Sequence, residues 1–201
     1  VESQFPFSNT MTMSLHCDDE IIVGMEYYSV GGGFIQWKGW HEAKRPDPPY
    51  PFSSMDEIKA EVVKNSINIP ALMMANEEAL TGATEETINS GLDQILQTMI
   101  GAVKCGLKTS GVLPGWIALH RKAGIVFETA RRERNAPHRF LSFLNAYALA
   151  AAEENAAGNI VVTAPTSGSS GLIPGIIYFM KHNMKVSDEK LREGLLTAAA
   201  I

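Results

Sequence analysis

A short apolar run, Ile160-Val161-Val162, enters the small-residue stretch Thr163-Ala164-Pro165-Thr166-Ser167-Gly168-Ser169-Ser170-Gly171, which feeds a helix-like segment with Pro174 near its start. A Gly/Ser turn of this kind aims several backbone N–H groups at one spot, with the positive end of a helix behind them. That suits a carboxylate or a phosphate, and the hydroxyls of Thr166, Ser167, Ser169 and Ser170 add donors. The same composition also describes a flexible connector. The apolar flanks on both sides weigh against the connector.

A second stretch, Lys108-Thr109-Ser110-Gly111-Val112-Leu113-Pro114-Gly115, has the same small-polar-then-Pro-Gly style and is followed by Arg121 and Lys122. It reads either as a second anion-binding turn, with Ser110 and Gly111 at its centre, or as a corner between helices. Asn-Glu pairs occur at Asn76-Glu77-Glu78 and, reversed, at Glu153-Glu154-Asn155. Helical carboxylates are mostly solvated, but Glu77 and Glu154 each abut an apolar stripe, which makes them candidate acid–base groups. The histidines at 16, 41, 120, 138 and 182 show no metal-ligand spacing such as i, i+4.

Strands and helices must hold these stretches. Residues 10–17 alternate as a strand, Ile21 to Ser29 forms a second, and Phe34 to Trp37 resumes extended structure after Gly31-Gly32-Gly33. The proline-rich run from Arg45 to Phe52 forms neither helix nor central strand and reads as a linker. Beyond it the pattern is helical. Ser54-x-x-Glu57 is a capping box, a second helix starts near Pro70, and Thr84 caps a third with Ile88, Leu92, Ile95, Met99 and Val103 on one face. Lys104 and Gly106 are expected to end that third helix. Further helices are expected within residues 122–134, from His138 to Glu154 with Gly158 as the stop, after Pro174 to Asn183, and from Ser187 onward. The fold class is therefore mainly α, a helical domain preceded by a small antiparallel β unit, α+β overall. The last helix runs out on Ala198-Ala199-Ala200-Ile201 without a cap, so the chain reads as truncated.

Composition narrows the classes. A net charge of −5 argues against a general nucleic-acid binder. No apolar run approaches the ~20 residues that span a bilayer, so no membrane role is expected. Two cysteines, Cys17 and Cys105, supply neither a disulfide framework nor a paired-thiol metal site, and a reducing cytoplasm is the expected compartment.

Five segments taken in order resemble the bacterial iron–sulfur L-serine dehydratases. They are Tyr27-Tyr28-Ser29-Val30-Gly31-Gly32-Gly33-Phe34, Asn76-Glu77, Gly111-Val112-Leu113-Pro114-Gly115, Glu153-Glu154-Asn155-Ala156-Ala157-Gly158 and Val161-Val162-Thr163-Ala164-Pro165-Thr166. The resemblance implies residues 1–44 as the end of that family's β domain, 45–53 as a linker and 54–201 as an incomplete α domain. It implies β-elimination of water from L-serine, followed by hydrolysis to pyruvate and ammonia, in a homo-oligomeric enzyme. A 4Fe–4S cluster is implied in the complete enzyme as the Lewis acid that carries off the hydroxyl. Pyridoxal phosphate is not implied. The resemblance places Glu77 and Glu154 in catalytic roles and Asn76, Ser110, Gly111, Asn155, Thr166, Ser167, Gly168 and Ser169 in substrate binding.

One departure stands out. Many members of the family carry a cluster cysteine where this chain has Ser170. No cluster is therefore expected on this chain alone, and no activity from it alone. Two alternatives stand beside L-serine dehydration: a non-catalytic binding or assembly module of the same fold, or the same elimination on L-threonine or L-cysteine.

Overall fold

The computed structural model describes residues 7, 9–31, 34–41, 45–133, 137–162 and 167–201. The chain divides into two compact units, one of residues 1–44 with 163–168 and the other of residues 45–162 with 169–201.

The first unit is a three-stranded antiparallel sheet in the order β1-β2-β3, with β1 Thr10–Cys17, β2 Glu20–Gly31 and β3 Phe34–Trp37. Its register pairs Met11 with Tyr27, Met13 with Met25, Leu15 with Val23 and Tyr27 with Trp37, so one face is apolar. The other face carries Thr10, Thr12, Glu26 and Gln36, and there Tyr28 donates to Glu26, which also pairs with Lys38. The expected β unit is present at the expected places.

The second unit is helical. Its helices are α1 Met55–Asn65, α2 Ile69–Thr81, α3 Glu85–Lys108, α4 Ala123–Arg132, α5 Arg139–Ala156, α6 Leu172–His182 and α7 Asp188–Ala199. Local sequence starts several of them: Ser54, Asn68, Thr84 and Ser187 each accept the backbone N–H three residues on. In α1 the capping-box Glu57 reaches the backbone N–H and hydroxyl of Ser53 as well as the backbone of Ser54.

Helix α5 lies at the centre, packed by α3, α4 and α6. Val103, Ala123, Ala130, Tyr147, Ala150 and Ala151 form one core cluster, and Leu96, Met99, Ile177 and Leu191 form another. Gly106 does not end α3 as the sequence suggested. It is buried one turn before Thr109 closes the helix, where a Cβ would collide with the Ala150 carbonyl of α5. Its glycine serves a close helix crossing, not a stop. Helix α7 docks on α3, with Arg192 bonding both carboxylate oxygens of Asp93 at 2.9 and 3.1 Å. No helix among the described residues is long and apolar enough to cross a membrane.

Candidate active site

The C-terminal end of α5 carries two consecutive buried carboxylates, Glu153 and Glu154. Opposite them is the segment joining α3 to α4. Gly111 accepts the N–H of Arg121 at 2.9 Å, Val112 bridges His120, and Leu113 donates to Leu119 at 2.7 Å. The Ser110–Arg121 stretch is thus a closed antiparallel loop whose base sets Arg121 beside Gly111.

Arg121 leaves that base to meet Glu154. Its Nη1 donates to Glu154 Oε1 at 2.6 Å, with the two side chains 6% and 3% exposed. Asn159 donates to the other oxygen, Oε2, at 2.8 Å. Burial is the largest single influence on the Glu154 carboxyl and pushes it up. Hydrogen bonds from Arg121, Asn159 and Cys105, with the charge of Arg121, together outweigh it and hold the carboxyl below its ordinary value. Glu154 is therefore an anion at neutral pH.

Arg121 lines a cavity of about 690 Å³ whose wall also includes Lys108, Ser110, Gly111, His120, Glu128 and Arg132. Glu154 lines a second cavity of about 450 Å³ with Thr98, Cys105 and Asn159. The ion pair is the partition between them. The larger cavity has the size range of small-ligand sites and an excess of cations suited to a carboxylate.

The serine dehydratase alpha chain family matches residues 64–201. The chain belongs to that family. L-serine dehydratase 2 of Escherichia coli is 34% identical over 200 residues, 96% of this chain and 44% of that protein. L-serine dehydratase of Haemophilus influenzae is 35% identical over 182 residues, 87% of this chain and 40% of the relative. The Streptomyces coelicolor L-serine dehydratase is 34% identical over 201 residues, 96% of this chain and 44% of its own length. The chain thus spans less than half of each of these relatives.

Within this family framework the sequence candidates fall in different places. Ser110, Gly111 and Glu154 gather around the Arg121 partition. Asn155 is half-buried on the same turn as Glu154, and its carbonyl accepts the Gly158 N–H at 3.0 Å. Asn76 is buried on α2, with Oδ1 accepting from Tyr50 N at 2.9 Å and Nδ2 donating to Tyr50 O at 2.8 Å. Glu77, its neighbour, is exposed. Helix α2 packs on α7, α3 and α1, so α3 stands between it and α5. Ser167, Gly168 and Ser169 form a single 3-10 turn in which Gly168 and Ser169 are exposed. Thr166 and the Ser167 side chain lie outside the described residues. From the sequence Arg121 stands out only as a cation after the Ser110–Gly115 turn, and Glu153 and Asn159 do not stand out as site residues. Adjacency of Arg121 to the Ser110–Gly115 motif was the available signal for the first, and the i, i+5 spacing from Glu154 for the last.

A 4Fe–4S cluster of the kind the resemblance implies is held by several thiolates in reach of one another. Among the described residues no three His, Cys, Asp or Glu side chains form a metal-holding group. Cys17 and Cys105 are exposed and belong to different units. Ser170 is buried, and its Oγ has no hydrogen-bond partner among the described residues. Its hydroxyl is a harder donor than the thiolate expected there, and iron–sulfur sites select soft sulfur ligands. The donors described on this chain do not fit a cluster.

Proposed function

We propose that this chain handles the substrate in an L-serine ammonia-lyase, which eliminates water from L-serine and releases pyruvate and ammonia. The observation that carries the proposal is the family match over residues 64–201, the part that builds the Arg121–Glu154 partition and its cavities. The division of the chain near residue 44 supports residues 1–44 as the end of a β domain, and 45–53 is read as a linker into an α domain over 54–201. The resemblance implies a 4Fe–4S cluster in the complete enzyme. The roles assigned here to this chain's residues do not involve it.

β-Elimination needs the substrate carboxylate held while the α proton leaves. In this reading the cations of the larger cavity, with Ser110 and Gly111, attract and orient the carboxylate of L-serine. Glu154, ionised and paired with Arg121, holds that cation on the cavity wall, and the catalytic role the resemblance implies for it would be exercised from the neighbouring cavity that it lines. Asn155 shares its turn. The Thr166–Ser169 loop is a second carboxylate-holding candidate, with Asn76, Glu154 and Asn155 proposed to brace it and Glu77 as a further candidate acid–base group.

A second reading, a binding or assembly module that has lost the chemistry, is favoured by Ser170 in place of a cluster cysteine. Keto-acid formation decides between them. The complete polypeptide containing this chain, purified anaerobically, is assayed with L-serine, L-threonine and L-cysteine, and its iron and sulfide are measured. Pyruvate from L-serine supports the lyase. No keto acid from any of the three refutes it. In an active enzyme Thr166→Val weakens L-serine binding and leaves iron content intact, and loss of iron in that variant removes Thr166 from the binding role.

A further inference from the structure

Helix α4 has no cap of its own. Its N-cap position is Lys122, at φ −121° and ψ −19°, and no side chain nearby in sequence bonds its first N–H groups. A helix start left bare exposes unpaired donors, which other groups must satisfy when it is buried. Here the donor-satisfying group comes from 30 residues away: Glu153 Oε1 accepts the N–H of Lys122 at 2.6 Å and that of Ala123 at 3.1 Å. Glu153 is 6% exposed, and its second oxygen, Oε2, is buried without a hydrogen-bond partner among the described residues. Nothing but the α4 N-terminus uses this carboxylate among the described contacts.

Glu153 and Glu154 therefore grip consecutive residues of the same strand of chain. Glu154 takes the guanidinium of Arg121, while Glu153 takes the backbone of the two residues that follow it. Because Arg121 N also closes the loop on Gly111 O, moving residues 122–123 moves the Ser110–Gly111 wall with them. We infer that Glu153 is a positioning residue: it clamps the start of α4 so that Arg121 and the Ser110–Gly111 wall stand in register with Glu154. The inference rests on the reading of the Arg121 cavity as the substrate site. It assigns Glu153 no contact with substrate. What the clamp requires is an acceptor oxygen at the reach of a glutamate, more than a negative charge.

Two variants separate reach from charge. Glu153→Gln keeps the reach and the acceptor oxygen and loses the charge, while Glu153→Asp keeps the charge and falls short. Two readouts are taken: amide hydrogen exchange of Lys122 and Ala123 in the chain, and kcat and KM for L-serine in the complete polypeptide. The Asp variant should lose exchange protection at both amides about tenfold or more and raise KM by a similar factor, with kcat less affected. The Gln variant should stay within about threefold of the parent in both, since its acceptor is retained. Equal impairment of the two variants, unchanged exchange in Glu153→Asp, or a Gln variant that fails to fold overturns the clamp. A parent protein that makes no pyruvate overturns the lyase reading instead, and the exchange data still decide whether Glu153 holds α4.

Discussion

Replacing Arg121 with methionine removes the cation from a buried pair and leaves Glu154 with only Asn159 and Cys105 to offset its burial. Both side chains are under 10% exposed and meet at 2.6 Å, so solvent cannot take over the role of the guanidinium. Breaking a buried pair in this way costs about 3–5 kcal/mol. At roughly 2–4 °C per kcal/mol for a domain of this size, the helical unit should melt about 6–20 °C lower. The pH dependence supplies a sharper check. In the parent chain the Glu154 carboxyl lies below its ordinary value of 4.5, so its contribution is fully present above that pH and is lost as pH falls through the folded value. In Arg121→Met the carboxyl loses the guanidinium's hydrogen bond and charge and sits higher than in the parent, so the variant gains less stability than the parent as pH rises. The gap between the two proteins should therefore be widest near neutrality and shrink toward pH ~4. Urea unfolding followed by far-UV circular dichroism across that range measures it. A loss below about 1 kcal/mol that is the same at both ends would mean the pair behaves as a solvated surface bridge, and the reasoning would fail.

Gly106→Ala drives a Cβ into the Ala150 carbonyl and should destabilise the helical unit by about 1–3 kcal/mol or more, read from the denaturant midpoint; an unchanged midpoint would contradict the close crossing. Asn76→Ala strips both hydrogen bonds from the Tyr50 backbone and should cost about 2 kcal/mol, with faster amide exchange at Tyr50 as its local signature. Exchange at Tyr50 unaffected by that change would show that the linker is held by other contacts.

What could be read from the sequence was local. Ser54, Thr84 and Ser187 announce helix starts because the donor they satisfy is three residues away, and the alternating Met11, Met13 and Leu15 announce a strand because the period is two. Gly106 misled because glycine after a lysine resembles a stop, while its cause is a backbone more than 40 residues further on. Glu154 and Arg121 were each noticed beside a motif, but their pairing across 33 residues was not legible. Glu153 is the extreme case: a side chain capping a helix 30 residues before it leaves no periodic or compositional trace. Asn76 was noticed for its type, and the structure gives its amide a backbone partner that type alone does not specify.

The crowding of α5 by small residues bears on how divergent relatives can be interpreted. Gly106 and Gly171 meet the α5 backbone so closely that a Cβ on either would collide, and one on Gly175 would come within 2.9 Å of Ala148 N. Drift at these sites is blocked by geometry whether or not the protein still turns over a substrate. A descendant would keep all three glycines for as long as it kept its fold. Arg121 and Glu154 are under the opposite kind of constraint: lost singly they leave a stranded charge, but lost together, to apolar residues, they cost little. In a lineage of such proteins, joint loss of that pair with the glycines intact would leave the fold standing, so the glycines track the fold and the pair does not.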